Sequence, residues 1–367
     1  MSRISDIIRY MEELAPANLA EDYDNVGLLI GNRGSKVNRI LVCLDVSSKV
    51  VDEAVEKNVD LIVSHHPVIF KGIKRINEDD AKGSIIYKLI KNNIGVYSAH
   101  TNLDVAHGGV NNYLSSLLGL TEIRNLVGYK SEKLFKIVVF VPVESVDSVR
   151  DSMSRAGAGW IGNYSDCSFM TKGVGTFMPL EGTNPYIGTR DKLEKVDEYR
   201  LETVVSKDNL QRVIEAMIHA HPYEEVAYDV YPLEINGREY GMGNVGVLDK
   251  SITLESFINL VKERLNIKNV RLIGSTEKEI KKVAVFCGSF DNRVAWAAKL
   301  QADVLVTGDV KYHDAMDMTE MGMCVIDAGH FNTERIIVPR LVQLLSDRFS
   351  DIEVMGNDVE EDPFKYC

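Results

Sequence analysis

Histidine and acidic residues follow three short apolar runs of the sequence. Six residues share this position after a run that is typical of a buried strand: His65, His66, His100, Asp104, His330 and Glu334. Because ligands of open α/β sheets bind beyond the carboxyl ends of the strands, we expect these side chains to converge. Neutral imidazole binds zinc, iron, cobalt and nickel, and carboxylates can bridge two ions. The pattern therefore predicts a site for divalent metal ions.

The spacing within the runs indicates two metal positions rather than one. His330 and Glu334 are four residues apart at the start of a predicted helix, so they share one face of it. His65 and His66 are adjacent and point in different directions, which lets them serve different ions. With Asp104 included, three histidines and two carboxylates suit a pair of ions about 3.5–4 Å apart.

Each of these residues also has a simpler structural interpretation. A histidine after a strand is more often a hydrogen-bonded loop residue than a ligand. Asp104 can cap the helix that follows it, and Glu334 can be an ordinary first-turn acid favoured by the helix dipole. The joint pattern favours the metal site, since four of the eight histidines in the chain lie at these three strand ends.

Further polar residues lie where they can reach the same edge of the sheet. The segment TGDVKYHDA carries Asp309 and His313 beyond another apolar run. The segment EDYDNVG carries Asp24 and Asn25, either in a plain turn or in one that enters the site. Because histidine titrates near neutrality, His313 and His100 are the candidates for catalytic proton transfer. His313 is equally consistent with an ordinary histidine at a helix N-terminus.

Two other signals are weaker. The segment Cys287-Gly288-Ser289 ends an apolar run and could present backbone N–H groups to an anion. The segment HAHPYEE, residues 219–225, gathers two histidines and two glutamates. Its proline breaks their helical spacing, so metal binding there is the less favoured interpretation.

The elements that must position these residues alternate between strands and helices. Apolar runs predict six buried strands, at residues 39–45, 59–64, 94–99, 282–287, 304–307 and 324–327. Helical periodicity lies between them and continues at residues 332–345. This alternation predicts a mostly parallel sheet covered by helices. The two sets of strands share a strand-then-polar-residue pattern, which we interpret as two pseudo-symmetric halves of one α/β domain.

The middle of the chain has a different order of elements. Strand-like and helical segments follow one another as β-α-β, β-α-β, at residues 134–142, 146–156, 200–205, 210–220 and 227–232, with a glycine-rich stretch among them. This order predicts a ferredoxin-like α+β domain at residues 129–235. It would be inserted into a discontinuous α/β domain at residues 1–128 and 236–367, as loops with close ends allow.

The composition is that of an ordinary globular protein. Of the 367 residues, 45% are hydrophobic and 26% are charged, which argues against a disordered chain. No run approaches the roughly 20 apolar residues of a membrane span, and the N-terminus lacks the features of a signal peptide. We therefore expect a cytoplasmic protein with no membrane contact.

The net charge and the cysteine pattern argue against some classes of partner and site. The 42 Lys and Arg against 54 Asp and Glu give a net charge of −12, which argues against nucleic acid as a partner. The five cysteines are scattered and form no CxxC pair: Cys43, Cys167, Cys287, Cys324 and Cys367. A disulfide framework and a thiolate zinc site are therefore not expected.

Five segments, in this order along the chain, resemble the Nif-three-like family: YDNVGLLIG, SHHPVIFKG, AHTNLDVAHGGVN, TGDVKYHDA and GHFNTE. Members of that family are commonly named GTP cyclohydrolase 1 type 2 homologues. Three segments of the middle block resemble the CutA-like or PII-like insert of the longer bacterial members: GNYSDCSF, GTFMPLEGTNPYIG and AHPYEEVAYDVYPL.

The resemblance implies a dinuclear metal centre with these ligands: His65, His66, Asp104, His330 and Glu334. It implies two divalent ions per chain, of zinc, iron or manganese, and a bridging water activated for hydrolysis of GTP or another nucleotide. It also implies a ring-shaped homohexamer in which the metal sites face an internal cavity and the inserts cover the openings. The alternative is a non-enzymatic toroidal scaffold that binds metals or a regulatory partner.

One segment departs from the family pattern. The family often has a run of glycines after the strand at residues 282–287, where this chain has CGSFDN with Phe290 and Asp291. If that loop holds a phosphate in relatives, the carboxylate of Asp291 would repel it.

Overall fold

The chain folds into two compact units. The computed structural model describes residues 1–365, so Cys367 lies outside the described residues. Unit 1 consists of Met1–Tyr129 with Tyr240–Cys367, and unit 2 consists of Lys130–Glu239. Among the described residues, no helix combines the length and the apolar character that crossing a membrane requires.

Thirteen strands are formed in the described part of the chain. In chain order they are β1 Gly27–Ile30, β2 Arg39–Cys43, β3 Leu61–Ser64, β4 Gly95–Ser98, β5 Thr121–Pro142, β6 Ser168–Phe177, β7 Glu194–Ser206, β8 Tyr228–Thr253, β9 Arg271–Ile273, β10 Glu279–Ser289, β11 Val304–Gly308, β12 Cys324–Asp327 and β13 Glu353–Gly356.

Twelve α-helices lie between these strands within residues 1–365. They are α1 Ile4–Leu14, α2 Ser48–Glu56, α3 Ala81–Lys91, α4 Thr101–Val105, α5 Val110–Leu117, α6 Val146–Arg155, α7 Lys207–Ala220, α8 Leu254–Leu265, α9 Asn292–Gln301, α10 Tyr312–Glu320, α11 His330–Glu334 and α12 Ile337–Arg348.

Unit 1 is an α/β fold in which parallel strands end side by side. Its five-stranded sheet has the order β1-β4-β3-β2-β13, and only β1 runs antiparallel to its neighbour. Cys43 lies opposite Ser64, and Ser64 lies opposite Ser98. The residues that follow β2, β3 and β4 therefore emerge at one edge. In a second set, β10, β11 and β12 are parallel neighbours, flanked antiparallel by β8 and β9.

Burial on both faces explains why the strands of unit 1 are continuous apolar runs. In β2, Ile40 and Val42 pack into one apolar cluster, whereas Leu41 and Cys43 pack into another on the opposite face. Successive side chains of a strand point to opposite faces, so a strand covered on both sides must be apolar at every position. The predicted buried strands are confirmed to within three residues at each end.

Unit 2 is an antiparallel sheet with two helices on it. Strand β7 pairs with β6 and with residues 134–142 of β5. Helices α6 and α7 pack against this sheet through Val149, Met153, Val213 and Met217. Strand β6 lies in the glycine-rich stretch, where the sequence predicted no strand. Because β6 is exposed along most of its length, no alternation of apolar residues marks it.

The single helix predicted at residues 332–345 is wrong. Two helices, α11 and α12, stand in its place and are separated at Arg335 and Ile336. Pro339 has no N–H to bond the carbonyl of Arg335, and its ring clashes with that carbonyl in a continuous helix. The break makes α11 a separate short element that ends at Glu334.

Candidate metal centre

One ring nitrogen of His65 is buried without a hydrogen bond. It follows β3 and is fully buried. Its Nδ1–H donates to the carbonyl oxygen of Ala99 at 2.9 Å, while Nε2 is buried without a hydrogen bond. A buried polar atom left unpaired costs about 1–3 kcal/mol, so this atom calls for a ligand. Asp104 Oδ1, from α4, is likewise buried and unpaired, and it lies 3.6 Å from His65 Nε2.

His66 turns the other way and joins two carboxylates. Its Nδ1 is 2.8 Å from Asp45 Oδ1, directly beyond β2, and its Nε2 is 2.9 Å from Glu334 Oε2. The neighbouring histidines of the SHHP segment therefore approach different oxygen atoms of the site.

His330 and Glu334 stand on α11 and contact each other. His330 Nε2 lies 2.9 Å from Glu334 Oε2, and His330 Nδ1 lies 2.8 Å from Asp309 Oδ2. The side chain of Glu334 is 5% exposed, and its other oxygen, Oε1, lies 3.9 Å from His65 Nε2. The two oxygens of Glu334 thus serve two different sets of imidazoles.

His100 completes the set of rings. It precedes α4, and its Nδ1 lies 2.8 Å from Asp24 Oδ1. Asp24 also accepts hydrogen bonds from the backbone N–H and the hydroxyl of Thr101. Burial acts to raise the pKa of Asp24, but these hydrogen bonds outweigh it and hold the pKa below its ordinary value.

A common arrangement orients all four imidazoles. Each ring uses Nδ1 to bond an oxygen of the surrounding protein: Ala99 O for His65, Asp45 for His66, Asp24 for His100 and Asp309 for His330. Metal-binding histidines are held by outer partners in this way, which fixes the tautomer and the ring direction. Nε2 is therefore the donor atom that each ring has left for a ligand.

The donor atoms form three overlapping groups within the described residues. In each group the atoms lie within 4.8 Å of one another: His65, Asp104 and Glu334; His66, His330 and Glu334; and His65, His66 and His100. Glu334 belongs to two of the groups. Imidazole nitrogens with carboxylate oxygens suit zinc, iron and manganese. The unpaired His65 Nε2 and Asp104 Oδ1 fit the same interpretation, so the residues present suit divalent metal ions.

Protonated histidines compensate the buried carboxylate of Glu334. Burial lowers the pKa of His66, but hydrogen bonds to Asp45 and Glu334 outweigh it and raise the pKa to about 10. The same balance, with Glu334 and Asp309 as partners, raises the pKa of His330 to about 9. Burial acts to raise the pKa of Glu334, yet its hydrogen bonds to the histidines hold it well below the ordinary value.

The raised pKa values of His66 and His330 predict opposite pH dependences for metal affinity and for the stability of the metal-free protein. Without metal, the two histidines have higher pKa values in the folded state than the value of about 6.5 in the unfolded state. The stabilisation that follows is complete below a pH of about 6.5, and it is lost as the pH rises through about 9 to 10. Metal binding displaces the same protons, so metal affinity should rise over this window while the melting temperature of chelator-treated protein falls. Calorimetry and zinc titrations between pH 6.5 and 9.5 measure both.

A matched pair of variants isolates this effect. In His66→Gln, the melting temperature of the metal-free protein should depend less on pH. In His219→Gln, on the exposed side of α7, the melting temperature should fall with rising pH as it does in the parent. An equal slope in all three proteins would assign the pH dependence to other groups.

The outer carboxylates should control metal affinity without touching the ions. Asp309 has a φ of 53°, which asparagine also adopts, so Asp309→Asn preserves the backbone and weakens the acceptor for His330 Nδ1. We expect metal affinity to fall about 10–100-fold, as measured by competition with a chromophoric chelator. Asp314→Asn on α10 is the matched control and should bind as the parent does. Unchanged affinity in Asp309→Asn would remove Asp309 from the site.

The structure brings together most of the residues that the sequence singled out. The five predicted ligands meet, and His100, predicted for proton transfer, lies among them. His313 does not join the converging donors, since it is exposed on α10 and its ring packs edge-on against Tyr312 at 5.4 Å. Its catalytic role stays a prediction. Asp45 was missed, although its place as the acid that ends the predicted strand was a usable signal.

The weaker candidates have structural roles in the described chain. His221 uses both ring nitrogens, because Nε2–H donates to the carbonyl of Phe140 and Nδ1 accepts the N–H of Tyr223. Asp291 caps α9 and pairs with Arg293 at 3.1 Å. That pairing offsets the negative charge expected to repel a phosphate.

Comparisons with known proteins agree over nearly the whole chain. The model of the Duf34/NIF3 (NGG1p interacting factor 3) family matches residues 2–363. A Halalkalibacterium halodurans protein is 45% identical over 98% of each chain, and a Bacillus subtilis protein is 42% identical over 98% of this chain and 97% of its own. Both are named GTP cyclohydrolase 1 type 2 homolog. The crystal structure of a Bacillus cereus protein related to NIF3 is 41% identical and superposes with a TM-score of 0.90, covering 100% of this chain and 99% of that one.

Proposed function

Because this chain belongs to the Duf34/NIF3 family, we propose that its unit 1 is a hydrolase dependent on two divalent metal ions. The observation that carries this proposal is Glu334, which two groups of donor atoms share. One ion would be held by His65, Asp104 and Glu334, and the other by His66, His330 and Glu334. Ions bound in this way supply Lewis acidity and lower the pKa of a bound water towards neutrality.

The side chains around the cluster would orient the histidine rings and accept a proton. Asp45 and Asp309 fix the rings of His66 and His330, so that the Nε2 atoms keep their direction. The Nδ1–H of His100 is held by the buried carboxylate of Asp24, so His100 Nε2 is the ring atom that would accept a proton from a water bound at the site. We assign proton transfer to His100, with His313 as the further candidate that the sequence names.

Space for a substrate adjoins the cluster. A cavity of about 510 Å³ is lined by His66 and His330, by Arg271, Phe364 and Lys365, and by four aspartates: Asp45, Asp309, Asp327 and Asp362. Arg271 pairs with Asp327, so Lys365 and the ring of Phe364 are the groups that would contact the phosphates and the base of a nucleotide. The names of the relatives support GTP as the substrate of a cyclohydrolase reaction. For that reaction we propose hydrolytic opening of the imidazole ring of the guanine.

A second candidate function is a metal-binding scaffold without turnover. Structural metal sites are closed, and the deep burial of His65 and Glu334 favours this candidate. A ring-shaped homohexamer, a CutA-like or PII-like fold for unit 2, and pseudo-symmetry within unit 1 stay predictions that go with either candidate.

A substitution of His100 distinguishes the hydrolase from the metal-binding scaffold. His100→Ala should retain about two zinc or manganese ions per chain and lose about 100-fold or more in kcat for GTP, since general acid–base groups contribute that much. Metal analysis and turnover assays on the same preparation measure both. The exposed His219→Ala should change neither.

Two results would count against the proposal. Loss of the ions from His100→Ala would make His100 a ligand rather than a proton acceptor. Turnover absent from the metal-loaded parent with GTP, phosphodiesters and phosphomonoesters would favour the scaffold.

A further inference from the structure

Unit 2 contains a cavity that the proposed function does not use. Its volume is about 610 Å³, within the range of small-molecule sites. Residues of β6 and β7 line it, together with residues 178–187 and 223–227. Four aromatic rings contribute to its wall: Phe140, Phe177, Tyr186 and Tyr223. Much of the lining comes from the segment GTFMPLEGTNPYIG and from Tyr223, Glu224 and Glu225, none of which belongs to the proposed metal site.

A buried carboxylate faces this apolar wall. Glu198, on β7, is 7% exposed and lines the cavity. Its Oε1 accepts a hydrogen bond from the hydroxyl of Tyr223 at 3.0 Å. Strand β6 makes room for the other oxygen, since a Cβ added at Gly175 would overlap Glu198 Oε2. The sequence thus keeps an acid at a position that is otherwise apolar.

The cations that line the cavity are engaged with other groups. Arg200 pairs with Glu202 at 2.8 Å, and the ammonium of Lys172 lies 5.8 Å over the ring of Tyr199. Within residues 1–365, Glu198 forms no ion pair, and its hydrogen-bond donor is a neutral phenol. A buried carboxylate without a counter-ion is costly, and a cation that enters the cavity would remove that cost.

We propose that this cavity binds a small organic cation, a primary amine carried on an aromatic or aliphatic body. The ammonium would donate to Glu198 Oε2 in a charge-assisted hydrogen bond. The rings of Tyr186 and Tyr223 would add cation–π attraction and cover the apolar body. Glu224 and Glu225 also line the cavity, so acids outnumber bases around it.

Three probes of nearly equal shape test the sign of the charge. We would titrate the full-length protein calorimetrically with 2-phenylethylamine, 2-phenylethanol and 3-phenylpropionate. The amine should bind once per chain and at least about tenfold more tightly than the alcohol, because charged hydrogen bonds exceed neutral ones by that margin. Equal affinity for amine and alcohol, preference for the propionate, or no binding of the amine would each overturn the proposal.

Matched variants locate the binding. Glu198→Gln keeps an acceptor for Tyr223 and should abolish the preference for the amine over the alcohol. Tyr186 is 61% exposed, so we expect Tyr186→Ala to fold normally, and it should also bind the amine more weakly. Glu215→Gln, on the exposed face of α7, makes the same charge change outside the cavity and should bind as the parent does. Undiminished amine affinity in both Glu198→Gln and Tyr186→Ala would place the binding elsewhere.

Discussion

Glu334→Gln should empty both metal positions at once. The carboxylate of Glu334 is shared by two donor groups, with Oε2 at 2.9 Å from both His66 Nε2 and His330 Nε2. The amide keeps the shape but removes the negative charge that both positions need. We expect metal affinity to fall by more than about 100-fold, beyond the effect of losing an outer partner, and turnover to fall with it.

Metal analysis after dialysis and GTP turnover measure this result. Glu320→Gln, at the exposed end of α10, is the matched control and should keep the ions of the parent. Retention of one tightly bound ion in Glu334→Gln would show that one position stands without the shared carboxylate. Retention of both would refute the shared role.

Gly288→Ala should have the second largest effect, through the same carboxylate. Gly288 is a buried residue near the end of β10 with a φ of +73°, and a Cβ there would overlap Glu334 Oε1. A left-handed backbone costs a non-glycine residue about 1–2 kcal/mol, and the overlap adds to it. We expect the free energy of unfolding to fall by about 2 kcal/mol or more and the ions to be lost.

Gly322 provides a control with the same backbone and none of the crowding. Its φ is +61°, and the nearest atom to an added Cβ is Lys299 Nζ at 4.0 Å. Gly322→Ala should therefore show the backbone cost alone and retain the ions. If denaturant unfolding and metal analysis gave the same values for both variants, the contact between Gly288 and Glu334 would have no role in metal binding.

The convergence of the candidate ligands could be predicted because they follow strands whose apolar sequence indicates that they are buried. LIVS and GVYS are buried at every position, and the residues after such parallel strands must emerge at one edge of the sheet. The partner of each ring could not be predicted in this way. The bond from His100 to Asp24 joins residues 76 apart, and nothing local in either segment specifies it.

Other differences between expectation and structure have local causes. Strand β6 escaped prediction because its residues are exposed on both sides, so neither periodicity nor a continuous apolar run marks it. The helix break before α12 was readable from Pro339, but the apolar periodicity on both sides of it concealed the stop. Asp291 looked like a charge aimed at a ligand, whereas its position before Asn292 makes it a helix cap.

The bonds between Glu334 and the protonated rings of His66 and His330 bear on the order of events during maturation. Zinc fingers stay unfolded until metal arrives, because nothing else gathers their ligands. Here the positive charges of two protonated imidazoles balance the carboxylate of Glu334 in place of metal ions. The apolar core of unit 1 does not depend on the cluster. Under the proposed function, the newly made chain would therefore reach its native state first and acquire ions afterwards by exchanging protons for them. Its metal content would then follow the supply of ions in its surroundings rather than the yield of folding.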